Sequence, residues 1–241
     1  MNVTKTLWND FECEEFEFEG QPAKIIFPHG ERNGKWLLKT EYFGAFPSFE
    51  IEMLNRGFCL AFNRNEGRWG HRKDLARKAN FIDYISETYN LDSRCIPVGM
   101  SCGGLFAIKL AGLYPDKVSV LYIDAPVVNL LSCPCALSGV PQPIPSEEAY
   151  RNLGLDAKTI LSYRDHPLDH LPTLIEKRIP LALVYGDADL TVAWEENALL
   201  VIEAYKGTDI PFLCICKEGV DHHPHGLEDN TPLIDFVLKH I

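Results

Sequence analysis

The chain has 241 residues, enough for one α/β domain with a full core. Its 46% hydrophobic and 24% charged residues exclude disorder, collagen and coiled coil. Lys and Arg total 23 against 34 Asp and Glu, a formal charge of −11, which speaks against nucleic acid and against a polybasic membrane contact.

Met1 to Phe11 is polar and has no apolar signal core. No apolar run is long enough to span a bilayer. Without an export signal, the eight cysteines (13, 59, 95, 102, 133, 135, 214 and 216) read as reduced thiols of a cytoplasmic protein. The pairs Cys133/Cys135 and Cys214/Cys216 are C-x-C, not the C-x₂₋₄-C of zinc sites. Alternation puts Cys214 and Cys216 on one face of a strand, where they are expected to be buried.

In chain order, strands are predicted at Phe11 to Phe18, where apolar and acidic residues alternate, at Ala23 to Phe27 and at Lys35 to Thr40. A loop by composition, Pro28 to Gly34, separates the last two. Strand–helix alternation follows. Phe58 to Phe62 is a strand. Arg72 to Tyr89 is a helix with Leu75, Ala79, Ile82, Ile85 and Tyr89 on one face. Cys95 to Met100 is a strand, Cys102 to Tyr114 a helix ended by Pro115, and Val118 to Ile123 a strand. Leu181 to Tyr185 is a strand, Trp194 to Tyr205 a helix, Phe212 to Cys216 a strand, and Pro232 to Ile241 the closing helix. Such βα units imply a mostly parallel, eight-stranded sheet with helices on both faces. Pro126 to Arg178 breaks the rhythm, with prolines at 126, 134, 141, 143, 145, 167 and 172. It is expected to be a small, partly helical cap, leaving residues 1–125 and 179–241 as the core.

The sharpest motif is Gly99-Met100-Ser101-Cys102-Gly103, G-x-S-x-G between a predicted strand and a predicted helix. Positions two before and two after the serine must be small, because strand and helix crowd there. Ser101 is therefore the candidate nucleophile, and the Cys102 N–H the candidate oxyanion donor. Cys102 fits less well as nucleophile, since Met100 lies two before it. A serine nucleophile needs a base and an orienting acid. Asp189, in Tyr185-Gly186-Asp187-Ala188-Asp189, is the candidate acid, with Asp187 more suited to forming the turn. Asp124 is an alternative from another strand. Gly219 to Gly226 holds His222, His223 and His225. His222 is the candidate base, His223 the second and His225 the third. Neighbouring His222 and His223 are expected to diverge, so a metal site there is not favoured.

These motifs resemble the α/β-hydrolases over nearly the whole chain. In that family the elbow serine follows the fifth strand, the acid usually the seventh, and the histidine the eighth. Ser101, Asp189 and His222 occupy those places, and Gly186-Asp187-Ala188-Asp189 resembles the family's G-x-x-D turn. Lys35 to Pro47, Asp124 to Val127 and His222 to Asp229 resemble an uncharacterised bacterial branch, esterase-like or peptidase-like. The family often has Gly before the catalytic histidine. Asp221 stands there in this chain, so both His222 and His223 remain candidates.

The second oxyanion donor is expected from the loop after the third strand, at the N–H of Tyr42 or Phe43. Glu41 would oppose a developing oxyanion and is assigned to a substrate hydroxyl or amine, or to solvent. Asn63, Asn65 and Arg68, after the fourth strand, are weaker candidates for the mouth, since turn composition also explains them. Aromatic residues there (Tyr42, Phe43, Phe46, Trp69) suit a neutral or sugar-bearing ester. The expectation is thus a serine esterase using an acyl-enzyme on Ser101, without metal or organic cofactor. Its partner is a small-molecule ester, carbohydrate-linked or not, and a homo-oligomer stays open. Alternatives are a prolyl-oligopeptidase-like peptidase and a non-catalytic binding protein on the same scaffold.

Overall fold

The computed structural model describes residues 2–137, 139, 142 and 145–241. The chain enters as an antiparallel meander, β1 (Thr4–Trp8), β2 (Phe11–Phe18) and β3 (Gln21–Ile26). Two two-residue turns close it. Asn9 and Asp10 have φ of 46° and 67°, Glu19 and Gly20 of 47° and 77°. Positive φ at both central positions matches the twist of flanking strands.

Parallel strands follow: β4 (Trp36–Lys39), β5 (Cys59–Asn63), β6 (Ile96–Met100), β7 (Leu121–Asp124), β8 (Leu181–Gly186) and β9 (Phe212–Lys217). The sheet order is β1-β2-β3-β5-β4-β6-β7-β8-β9, antiparallel as far as the β3–β5 contact and parallel beyond it. The sheet therefore has nine strands rather than eight. The added β1 is a largely exposed edge strand and shows little apolar alternation.

Strand alternation sends neighbouring side chains to opposite faces. Leu37, Leu60, Val98 and Ala182 pack under α1 (Ser48–Leu54) and α7 (Thr231–His240). Leu38, Ala61 and Trp36 meet α2 (Arg72–Tyr89) and α3 (Cys102–Leu113) on the other face. Leu121, Ile123 and Leu183 meet α3, α5 (Pro167–Glu176) and α6 (Ala198–Tyr205) there. The predicted helix from Trp194 is broken by Asn197, which separates a 3₁₀ turn (Trp194–Glu196) from α6. The Asn197 side chain accepts from the Val128 and Asn129 amides at 2.9 and 3.0 Å, tying the start of the Pro-rich segment to the core.

Between β7 and β8 no strand forms among the described residues. The segment carries α4 (Ser146–Leu153), a 3₁₀ turn (Thr159–Ser162) and α5. Pro141 and Pro143 lie outside the described residues. Helix α5 lies close along α3, where a Cβ on Gly112 would stand 2.5 Å from His170 Cβ. Asp165 joins the segment to the core by a bidentate bond from Arg72 (2.9 Å twice) and an ion pair with Lys109 (3.0 Å), and His170 Nε2 of α5 meets it from within the segment (2.7 Å). Cys214 and Cys216 do share one strand face, but that face is exposed. Helix α7 covers only the opposite side of β9, at Leu213 and Ile215. Among the described residues no helix is long and apolar enough to cross a membrane.

Candidate active site

Strand β6 ends at Met100 and α3 begins at Cys102, so one residue makes the turn. That residue, Ser101, has φ 53° and ψ −120°, a strained conformation for a side chain bearing Cβ. Its backbone is held on both sides. Ser101 N–H donates to Asp124 O (2.9 Å), and Val127 N–H donates to Ser101 O (3.1 Å). A Cβ on Gly99 would stand 2.2 Å from Gly103 O, and one on Gly104 2.5 Å from Pro126 Cβ. Glycine is thus required where strand, helix and the β7 loop touch. Cys102 is buried, and burial pushes its thiol up to about 11, far from a ready thiolate. Its N–H, at the first position of α3, has no intrahelical acceptor.

Two loops at the carboxyl edge of the sheet converge on Ser101. After β8, Asp189 is 2% exposed, and its Oδ1 accepts from the Thr191 and Val192 amides at 2.9 and 2.8 Å. Those bonds aim Oδ2 at His222 Nδ1, 2.7 Å away. His222 Nε2 then lies 3.1 Å from Ser101 Oγ. The three residues form one unbroken hydrogen-bonded line. A Cβ on Gly186 would stand 2.1 Å from Val220 O, so glycine lets the two loops approach. Asp187 accepts from Gly219 N–H (2.6 Å), which leaves it a loop-tying role. Asp221 Oδ1 accepts from the His222 and Leu190 amides (2.7 and 3.2 Å), and those two bonds hold its carboxyl below its ordinary value. An Asp in the place usually held by Gly thus buttresses the histidine backbone.

The other candidates fall elsewhere. Asp124, at the end of β7, is fully buried and faces His225, with Oδ1 2.9 Å from His225 Nδ1 and Oδ2 accepting from Gly226 N–H at 2.7 Å. A second Asp–His pair therefore stands beside the first, which sequence reasoning missed. The signal for it was an Asp at a strand end together with a spare His after the last strand. His223 is exposed and stacks on Phe46, centroids 5.7 Å apart. Burial, followed by the His222 and His225 charges, lowers its pKa. The loop nevertheless keeps the three imidazoles together, each pair of centroids 4.9 Å apart, so the expected divergence of His222 and His223 does not occur.

Asn63 does not reach the mouth. It is fully buried, its Oδ1 accepts from Arg77 Nε at 3.3 Å, and its Nδ2 donates to Pro22 O. Glu41 is taken up by its neighbours, accepting from Asn65 Nδ2 of the loop after β5 and from Tyr42 N–H of its own loop at 3.3 Å. The Tyr42 N–H is thus engaged by a carboxylate. The Phe43 ring packs away from Ser101, between Trp8 and Phe62 at 5.3 and 5.2 Å. Trp69 is fully buried rather than at the mouth, and donates to Glu148 Oε1 at 3.1 Å.

A cavity of about 510 Å³ opens over Ser101, lined by Tyr42, Ala45, Phe46, Arg68, Met100, Cys102, Cys133, Thr191, Val192 and the three histidines. Its walls are mainly apolar. Arg68 is held by Glu148 of α4 through paired bonds at 2.7 and 2.5 Å, which raise its pKa further. The Tyr42 phenol faces the Cys102 and Arg68 side chains, and burial pushes it well above its ordinary value.

No protein-family model matches the chain. Solved structures do. Porphyromonas gingivalis dipeptidyl peptidase 4 superposes with a TM-score of 0.71 at 15% identity, over 99% of this chain and 35% of that one. The Pyrococcus horikoshii acylaminoacyl peptidase gives 0.68 at 14% identity, over 88% of this chain and 37% of that one. An S-formylglutathione hydrolase from Agrobacterium tumefaciens gives 0.62 at 17% identity, over 92% of this chain and 93% of that one. The chain therefore spans about a third of the two peptidases and nearly all of the S-formylglutathione hydrolase. With its strand order, its strained serine turn after β6 and these likenesses, the chain has the α/β-hydrolase fold.

Proposed function

We propose that the protein is a serine hydrolase that cleaves a neutral carboxylic ester. The observation that carries this reading is the line Asp189–His222–Ser101, with separations of 2.7 and 3.1 Å, at the floor of the cavity. Ser101 Oγ attacks the ester carbonyl while His222 Nε2 takes its proton. Asp189 holds the imidazole in place and stabilises the imidazolium. The proton then goes to the leaving alcohol. Water repeats the sequence on the acyl-enzyme and frees the acid. The Cys102 N–H supports the oxyanion. The second donor comes from the Tyr42–Phe43 turn, where Tyr42 N–H must swing away from Glu41 or Phe43 N–H must serve in its place.

A neutral substrate is favoured because the cationic Arg68 in the wall is already matched by Glu148, and the rest of the lining is largely apolar. A sugar-bearing alcohol fits the aromatic rim of Tyr42 and Phe46. The segment from Pro126 to Arg178 acts as the cap, since α4 reaches the cavity wall through the Glu148–Arg68 bond. The cytoplasmic assignment rests on the sequence reading of the cysteines as reduced thiols.

Short-chain nitrophenyl esters and aminoacyl or dipeptidyl anilides, offered to the wild type and to Ser101→Ala, test the reading. Ester turnover that vanishes in the variant is expected. Anilide turnover without ester turnover would favour a peptidase, and neither would favour a binding protein.

A further inference from the structure

We propose that His222, His223 and His225 form a binding site for a divalent ion of the zinc class, and that the bound ion switches the active site off. The inhibitory part rests on the hydrolase reading above; the binding part does not. One ring nitrogen from each histidine lies within 4.8 Å of one from each of the others. The rings are mutually steep, at 65°, 80° and 85°. Two of them are already oriented as metal ligands are. His222 Nδ1 faces the buried Asp189 carboxylate and His225 Nδ1 the buried Asp124 carboxylate. A carboxylate that accepts from Nδ1–H leaves the lone pair on Nε2, the arrangement found behind zinc-bound histidines.

Imidazole suits zinc, copper and nickel and does not suit magnesium or calcium. Zinc–nitrogen bonds of about 2.0–2.1 Å require nitrogens closer together than 4.8 Å. His223 can supply that movement, being exposed and stacked on Phe46, with no hydrogen bond to another described side chain. Its exposure also gives the ion a way in. Ser101 Oγ, 3.1 Å from His222 Nε2, or a water completes a four-coordinate shell. An ion on His222 Nε2 occupies the lone pair that must accept the serine proton. Metal binding and acyl transfer therefore exclude each other. No covalent bond changes; the ion only displaces the serine hydroxyl from the lone pair.

The test uses the full chain, stripped of metal, titrated with zinc chloride by calorimetry. One ion per chain is expected, and His223→Ala should weaken binding about tenfold or more. Cobalt substituted for zinc should give a four-coordinate spectrum that His223→Ala abolishes. Fluorophosphonate labelling of Ser101 should be lost with zinc and restored by chelator. Binding unchanged in His223→Ala would place the ion elsewhere, as on the exposed Cys214 and Cys216 thiols, and overturn the site. Labelling unaffected by a bound ion would overturn the inhibition. Failure of the metal-free protein to label would instead count against the hydrolase reading, while calorimetry still decides the site.

Discussion

Two Asp–His pairs stand side by side at the carboxyl edge of this sheet, and they differ in what lies beyond the imidazole. Asp189–His222 and Asp124–His225 have nearly equal separations, 2.7 and 2.9 Å, and all four residues are buried. Past His222 stands Ser101 Oγ. His225 instead presents its ring edge-on to Phe46, 5.4 Å between centroids. The strained Ser101 turn sets a hydroxyl beside one imidazole and not the other. In the proposed reaction, a carboxylate behind a histidine is therefore not enough to make a general base: the first pair moves the proton and the second holds the loop after β9.

This comparison is open to a graded series of substitutions. Ser101→Ala and His222→Ala should each cut ester turnover by about 10⁴–10⁶, as measured by steady-state kinetics on purified, folded protein. A comparable loss in His225→Ala would mean the second pair takes part in proton transfer. Asp189→Asn should cost about 10³–10⁴ in kcat, because the amide presents the wrong partner to Nδ1. Asp124→Asn should cost less than about tenfold in kcat while lowering the melting temperature, since it weakens a buried charged contact. Equal kinetic damage from the two Asp→Asn changes would erase the distinction between the pairs.

Glu148→Ala should act more mildly. It frees Arg68 in the cavity wall and should raise KM for a neutral ester about threefold to tenfold with kcat nearly unchanged. A fall in kcat alone would argue that α4 shapes the reacting end rather than the binding wall.

The smallest effect on turnover is expected at Asp165. Burial works against its charge, but bonds from His170, Arg72 and Lys109 hold its carboxyl far below the usual range. A depressed folded value contributes stability above the unfolded value of about 3.9, and that contribution fades as pH falls below it. Denaturant unfolding of Asp165→Asn should therefore show a deficit at neutral pH that narrows below about pH 4. A deficit independent of pH would remove the electrostatic account.

Much of this arrangement was legible in the residues. Gly99, Ser101 and Gly103 sit between an apolar strand and an apolar helix, and steric crowding alone gives that pattern its meaning. Asp189 and a histidine of the loop after the last strand follow from strand ends and the family resemblance. Adjacent residues are not told apart by position, so His222 and His223 both remain candidates in the sequence, and packing sets His222 against Asp189 and Ser101. What stayed hidden depends on long-range contact. The Asp124–His225 pair joins an Asp at one strand end to a spare His far along the chain, and only the packing of the two loops shows that they meet. Asn63 was misplaced because its partner, Arg77, lies on a helix whose orientation only packing decides. Glu41 folds back on Asn65 and Tyr42, a choice made among side chains rather than by spacing. β1 went unseen because an exposed edge strand needs no apolar face, though Asn9-Asp10 carried the turn signal. Cys214 and Cys216 shared the predicted face, but exposure depended on where α7 came to rest.

The central claim is that Ser101, and no other nucleophile of this chain, is activated by His222. Fluorophosphonate labelling with the adduct located by peptide mass spectrometry tests it most directly. The account predicts a single adduct on Ser101, absent in His222→Ala and retained in His225→Ala. An adduct elsewhere, or undiminished labelling of Ser101 without His222, would contradict it.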